Sequence, residues 1–197
     1  VVNHTLEMLK GQISQRYADT EELTPEQQDR ILLRDLPDSP EKVINIASTI
    51  ENLGMIIIDF ADLMINGETT ESAMSHIYRT LMLGAKELQC TIILLAQLSG
   101  DKGGIPRPNQ VRWTRLAEAL AYMVLMTYNP NTDYHAEKEE HILPIRPNMA
   151  YLCCWLSRGG SKIHKSDFPG AIQIAFKGDK GWGSKTKSTS WYPLNES

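Results

Sequence analysis

Two uninterrupted apolar runs, each closing on a polar side chain, constrain the fold of this chain most. The first is Met55–Phe60, in which Asp59 follows four apolar residues, and the second is Thr91–Ala96, which leads into Gln97. Short runs without polar alternation are typical of strands that are buried on both faces of a parallel sheet. We therefore predict two such strands, each with a polar group at its carboxyl end.

Helix signals lie between the apolar runs. Thr24-Pro25-Glu26 and Ser39-Pro40-Glu41 each combine a capping hydroxyl, a proline for the first helical position and an acid for the first turn. A third helix is predicted over 70–88 and a fourth over 6–17, and further strands over 1–5, 31–33, 122–127, 149–156 and 171–176. Alternating strands and helices predict an α/β fold with a mainly parallel sheet flanked by helices.

Length and composition fit one soluble domain. The 197 residues have 42% hydrophobic and 22% charged side chains, which excludes disordered and collagen-like classes. No apolar run approaches the roughly 20 residues of a membrane span, and the N-terminus lacks the layout of a signal peptide. Because three cysteines cannot form a disulfide framework, we expect a reduced, cytoplasmic protein.

Charge is unevenly distributed along the chain. The net charge is −4, and the first 80 residues are strongly acidic, whereas 157–187 carry seven Lys or Arg and two Asp. This asymmetry is compatible with a local polyanion contact or with a solvated basic tail, and composition does not choose between them. The charged stretch 129–147, which includes Asp133, lacks the spacing of zinc ligands and is interpreted as a solvated insertion.

Four polar residues lie at or just beyond the ends of predicted strands: Glu7, Asp59, Gln97 and Arg158. Ligands of parallel sheets bind beyond the carboxyl ends of the strands, so these groups are expected to converge on one site. Three of them have an ordinary alternative. Glu7 suits the first turn of a helix, Asp59 could cap the next helix, and Gln97 could simply be the first polar residue to leave the core.

Several segments in the same order resemble the RecA-like motor domain of DnaB-type replicative helicases. They are Thr5-Leu6-Glu7-Met8, the run from Ile56 to Met64 that contains Asp59, and the Lys86-Glu87-Leu88 helix end with its strand closing in Ala96-Gln97-Leu98-Ser99. Arg107-Pro108 with Arg112, the strand 121–128, Ser157-Arg158-Gly159-Gly160 and 174–178 continue the similarity. No single motif is specific, but their order is, and the resemblance runs from residue 1 to about 183.

The resemblance implies a role for each candidate residue. Glu7 would activate the attacking water, Asp59 would hold Mg²⁺, and Gln97 would sense the γ-phosphate of ATP. Arg158 would be an arginine finger that reaches the ATP site of the neighbouring subunit.

The resemblance also implies a DNA contact. The loop 99–112 lies where family members direct loops at single-stranded DNA in the channel of a ring, and it carries Lys102, Arg107 and Arg112. Contacts of such side chains with the phosphate backbone are salt-dependent and largely indifferent to sequence.

The chain departs from the family pattern in several places. No Gly-x-x-x-x-Gly-Lys-Ser/Thr motif is present, and the stretch from Gly178 to Thr186 has one residue too many before its lysine. Leu156 replaces the family's second cation near Arg158. The expected fold is therefore a RecA-like P-loop NTPase core over 1–183 without its first strand and Walker A loop, followed by a tail over 184–197. We expect the 197-residue chain alone to hydrolyse ATP poorly.

These observations predict an ATP-dependent DNA helicase motor that uses ATP and Mg²⁺. Its expected partners are single-stranded DNA, further copies of itself in a ring hexamer, and a primase or helicase loader, with no membrane. Its divergence from the family pattern favours a phage-encoded member that acts in the cytoplasm of a bacterial or infected host cell. Two alternatives remain open: a recombinase ATPase of the RecA or RadA type, and a non-catalytic RecA-like domain for assembly or DNA binding that lacks its nucleotide site.

Overall fold

The computed structural model describes part of the chain in detail. The described residues are 2–5, 24–34, 38–65, 67, 70–98, 104–111, 116–133, 143–145, 149–158, 170–176, 182–183 and 191–193. The chain divides into two compact units, which we call the first and the second unit. The first comprises Val1–Ser99 with Val111–Leu120, and the second comprises Gly100–Gln110 with Ala121–Ser197.

A four-stranded parallel sheet forms the centre of the first unit. Its strands are β1 (Val2–Thr5), β2 (Leu32–Arg34), β3 (Met55–Asp59) and β4 (Thr91–Leu94). They lie in the order β2-β1-β3-β4, and every pairing is parallel. The carboxyl ends of all four strands therefore lie at one edge of the sheet.

Three helices of the first unit begin where the sequence signals predict. Helix α1 (Pro25–Gln28) starts with a reciprocal cap, in which Thr24 N–H donates to Gln27 Oε1 at 2.8 Å and Gln27 N–H donates to Thr24 Oγ1 at 3.3 Å. Helix α2 (Pro40–Ala47) and helix α3 (Glu71–Glu87) begin at caps whose hydroxyls accept backbone N–H groups of the first turn. Helix α4 (Leu116–Leu120) follows later in the chain and packs against α3.

The core of the first unit lies between β3 and helices α2 and α3. Ile56 and Ile58 of β3 are fully buried, and they belong to one cluster with apolar residues of α2, of a 3-10 turn over Ala61–Met64 and of α3. The members from these other elements are Val43, Ala47, Ala61, Met64, Met74, Ile77 and Leu81. Burial of this cluster is what fixes β3, and with it Asp59, relative to the helices.

Strand β4 differs from the sequence prediction. A strand buried on both faces is expected there, but Ile93 and Leu95 are each 42% exposed. The reason is position, because among the described strands β4 pairs with β3 alone and lies at the edge of the sheet. An apolar run cannot distinguish a central strand from an edge strand, so sequence alone does not give this exposure.

An antiparallel sheet forms the second unit. Its strands are β5 (Met123–Tyr128), β6 (Met149–Ser157), β7 (Gly170–Phe176), β8 (Trp182–Gly183) and β9 (Trp191–Pro193). They are ordered β5-β6-β7-β8, and β9 also pairs with β7. The buried Tyr151 hydroxyl donates to Pro144 O at 2.6 Å and accepts from Gln173 Nε2 at 3.2 Å.

The α/β class and the parallel sheet with flanking helices are confirmed, and the later strands add an antiparallel sheet that sequence analysis does not anticipate. The predicted helix over 6–17 lies outside the described residues. Strand β9 falls within the stretch treated as a tail, and the division at residue 183 stays a prediction. No helix in the described part of the chain is long and apolar enough to span a bilayer.

Candidate functional site

Asp59 occupies the carboxyl end of the central strand β3. It pairs in register with Thr5, the last residue of β1, and it is half-buried. The peptide bond between Asp59 and Phe60 is cis. The backbone is fixed on both sides of the Asp59–Phe60 segment, because Ile58 before it and Ala61 after it are fully buried. The carboxylate is thus held at the strand edge where parallel sheets bind ligands.

The chain that leads to Gln97 runs along the end of β3. Beyond β4, Leu95 N–H donates to Ile58 O at 2.9 Å, and Ala61 N–H donates to Leu95 O at 3.0 Å. These two hydrogen bonds hold Leu95 beside the backbone that carries Asp59. Gln97 follows two residues later and is exposed.

The carboxylate of Asp59 is the kind of ligand that proteins use to bind Mg²⁺ with a nucleotide. Mg²⁺ is usually held by one or two carboxylates and by the phosphates of the substrate, and it keeps several waters. Within the described ranges no group of three or more His, Cys, Asp or Glu side chains could hold a metal alone.

The cation Arg34 lies at the same edge, and it was not singled out from the sequence. Arg34 ends β2, and its Nη2 lies 3.3 Å from Asp38 Oδ2. Lys42 Nζ of α2 lies 2.5 Å from Asp38 Oδ1. Burial opposes ionisation of Asp38, but the hydrogen bond and charge of Lys42, with those of Arg34, outweigh it and lower the pKa of this carboxyl. The Arg–x₃–Asp–x₃–Lys spacing could have indicated this group.

Two predicted cationic side chains belong to the second unit. Arg158 follows β6 directly and is exposed, and its N–H donates to Tyr122 O at 2.9 Å. Arg107 is also exposed, while its backbone is fixed by a 3-10 turn over Pro108–Gln110. Both residues thus combine a fixed backbone with an exposed position.

Three of the predicted residues, Glu7, Lys102 and Arg112, lie outside the described residues. The structure therefore brings together Asp59 and the segment that leads to Gln97 in the first unit. It places Arg107 and Arg158 in the second unit. The roles assigned to all seven residues stay predictions.

Comparison with solved structures supports the fold. A KaiC-like protein from the hyperthermophilic archaeon Pyrococcus horikoshii OT3 matches with a TM-score of 0.59 and 15% sequence identity, and the match covers 92% of this chain and 73% of that one. At this identity the likeness shows the fold alone. No curated protein sequence matches the chain.

Comparison with family models identifies the family. The model of the DnaB-like helicase C-terminal domain matches residues 4–148, which is well over half of the chain and includes Asp59, Gln97 and the loop 99–112. The matched segment begins within β1 and extends past β5, so it contains β2, β3 and β4 and the carboxyl end of β1, at the sheet edge that carries Asp59. The chain belongs to the DnaB-like helicase C-terminal domain family.

Proposed function

We propose that the protein is an ATP-dependent DNA helicase motor of the DnaB type, which moves along single-stranded DNA and separates the duplex during replication. The observation that carries the proposal is the position of Asp59 at the carboxyl edge of β3, within the segment that matches the family. The motor would work as a ring, hexameric in this family, in the cytoplasm of a bacterial or phage-infected cell. A primase or a helicase loader would be its further partners.

In this proposal the chain's own residues divide the work of hydrolysis. ATP with Mg²⁺ supplies the phosphoryl group and neutralises charge on its oxygens. Asp59 binds the metal, and Glu7 accepts a proton from the attacking water. The Gln97 amide contacts the γ-phosphate, and Arg158 of an adjoining subunit stabilises the negative charge that develops on it.

DNA binding by the loop 99–112 is the part of the proposal that can be tested on the 197-residue chain. We expect Arg107→Ala to weaken binding of a fluorescein-labelled single-stranded oligodeoxythymidylate and to reduce the slope of log affinity against log salt by about 1. Fluorescence anisotropy across a salt series measures both quantities. Arg79→Ala is the matched control, because Arg79 is an exposed cation on α3, outside this loop.

Hydrolysis is tested on the product of the complete coding sequence. We expect Asp59→Asn to abolish Mg²⁺-dependent phosphate release while the protein still binds single-stranded DNA. Robust turnover by Asp59→Asn would contradict the proposed metal role. Equal DNA binding by the Arg107→Ala variant and the unmodified chain would contradict the proposed DNA loop.

A non-catalytic domain for assembly or DNA binding is the second candidate. The observation that favours it is the absence of a Gly-x-x-x-x-Gly-Lys-Ser/Thr motif from the 197 residues, since that loop supplies the backbone N–H groups and the lysine that bind phosphates. DNA binding without any ATP turnover by the complete product would favour this candidate over the motor.

A further inference from the structure

A rigid turn follows strand β5 and presents Asp133. In this turn Asn131 N–H donates to Asn129 Oδ1 at 3.1 Å, and Thr132 N–H donates to Asn129 O at 3.2 Å. Asn131 Nδ2 also donates to Met149 O of β6 at 2.9 Å. These hydrogen bonds fix the turn to the antiparallel sheet of the second unit, and they fix the backbone that leads to Asp133.

Asp133 holds the backbone of a distant loop segment. Gly104 N–H donates to Asp133 Oδ2 at 2.6 Å, and the Tyr128 hydroxyl donates to the same oxygen at 3.0 Å. Tyr128 is 5% exposed, so one of the two donors is fixed inside the second unit. A carboxylate that accepts two hydrogen bonds in a half-buried place holds its donors more strongly than a neutral acceptor would.

The loop segment beyond Gly104 is restrained as far as Arg107. Gly104 has a φ of 76°, a backbone conformation that glycine adopts without strain. Ile105 and Pro106 are buried, and Arg107 N–H donates to Gln110 Oε1 at 2.7 Å while Gln110 N–H donates to Arg107 O at 2.9 Å. Buried apolar contacts and these hydrogen bonds fix the backbone of Arg107, while its side chain stays exposed.

We propose that Asp133 is a positioning residue that fixes Gly104 and thereby orders the loop segment that carries Arg107 for contact with single-stranded DNA. This inference rests on the proposed function, because that function assigns the DNA contact to the loop. Ordering the loop before binding lowers the entropy lost when Arg107 meets a phosphate. The stretch 129–147 is interpreted from the sequence as a solvated insertion, and this proposal gives Asp133 within it a positioning role.

The sign of the effect separates positioning from simple electrostatics. Asp133→Ala removes a negative charge near the loop, which by Coulomb interaction alone would strengthen binding of a polyanion. Positioning predicts the opposite, a loss of about 3–10-fold in affinity for the labelled oligodeoxythymidylate. Asp133→Asn keeps an oxygen that can accept from Gly104, so it should restore part of the lost affinity.

The experiment combines DNA binding with amide hydrogen exchange on the 197-residue chain. Asp133→Ala should accelerate exchange of the peptide that contains Gly104 and weaken DNA binding. Thr132→Ala is the matched control, because Thr132 lies in the same turn and its hydroxyl donates to Asn129 O. The double variant Arg107→Ala/Asp133→Ala should bind no more weakly than Arg107→Ala, since Asp133 acts through Arg107.

Each outcome has one meaning. Unchanged exchange at Gly104, unchanged or stronger DNA binding by Asp133→Ala, or losses that add fully in the double variant would each overturn the positioning role. Faster exchange at Gly104 in Asp133→Ala would confirm that Asp133 holds Gly104. If Arg107→Ala nevertheless bound DNA normally, the DNA contact of the proposed function would be refuted.

Discussion

Asp38 is a buried carboxylate that contributes to the stability of the first unit through two charged contacts. Its side chain is 1% exposed and lies between the cations of Arg34 and Lys42. We expect Asp38→Asn to lower the free energy of unfolding by about 1–3 kcal/mol, because both charged contacts weaken while both cations remain. Urea denaturation followed by circular dichroism measures the loss.

The same carboxyl predicts a pH dependence. Because its pKa is lower in the folded protein than its ordinary value of 3.8, the stabilisation is complete above that value and is lost as the pH falls through the lower, folded pKa. The stability difference between the unmodified protein and Asp38→Asn should therefore shrink below pH 3.8. Lys42→Met is the control, because Lys42 is the exposed partner of Asp38, and it should lower the free energy of unfolding by at most about 1 kcal/mol. A difference that is constant with pH would contradict this assignment.

Tyr78 presents the opposite case, a buried hydroxyl. Its oxygen has no hydrogen-bond partner among the described residues, and burial, with the nearby charge of Asp62, raises the pKa of Tyr78 to about 12. Tyr78→Phe should leave stability unchanged or raise it by up to about 1 kcal/mol near neutral pH, because no hydrogen bond is lost.

Alkaline conditions provide the check on Tyr78. The unfolded state ionises near pH 10 and the folded state near pH 12, so the unmodified protein should lose stability between these values relative to Tyr78→Phe. Denaturation midpoints across that range measure the difference. A destabilised phenylalanine variant at neutral pH would show that the hydroxyl has a partner.

At the scale of elements, the contact between α2 and α3 depends on a glycine. A Cβ built on Gly84 of α3 would clash with Ile44 of α2, with Ile44 Cδ1 closest and Cγ1 at 2.6 Å. We expect Gly84→Ala to destabilise the protein by about 1–2 kcal/mol, because the clash outweighs the gain in helix propensity. Thermal denaturation measures this change.

A second substitution tests the cause. Ile44→Ala in the Gly84→Ala background should cost less than Ile44→Ala alone, since the new methyl group fills the space that it leaves. Leu83→Ala is the control in the same helix, because Leu83 is 59% exposed. Additive effects of Gly84→Ala and Ile44→Ala would show that the two helices do not meet at this point.

Helices and sheet edges differ in how well sequence predicts them. Helix α3 was predicted over 70–88 and spans Glu71–Glu87, because a capping threonine and a periodic apolar stripe are local signals. The end of β3 at Asp59 follows from a local pattern too. Pairing is not local, so the exposed edge of β4 and the antiparallel arrangement of β5–β9 could not be derived. The contact of Asp133 with Gly104 joins residues 29 positions apart, and no spacing rule indicates it.

At the scale of the whole molecule, the proposal requires two subunits to complete one ATP site. Asp59→Asn and Arg158→Ala should each reduce ATP turnover of the complete product by about 10³-fold or more, since an arginine finger contributes about 10³–10⁵ in comparable enzymes. If Arg158 acts on a neighbour, an equal mixture of the two variants should restore turnover at about a quarter of the interfaces, where both intact residues meet.

Steady-state phosphate release from the separate and mixed variants measures this recovery. Mixing each variant with unmodified protein controls for subunit exchange. A mixture no more active than its components, when exchange is shown to occur, would place Arg158 and Asp59 in the same subunit's site or Arg158 outside the site.

The strand order has a consequence for biosynthesis. Strand β1 lies between β2 and β3, so its central neighbour, Met55–Asp59, is translated about 50 residues after it. In a nascent chain leaving the ribosome, Val2–Thr5 stays unpaired with β3 until β3 has emerged. Parallel pairings of this kind close large loops and form slowly. Translation speed and chaperone access over the stretch from β1 to β3 should therefore affect how much of this protein reaches its native state in the cell.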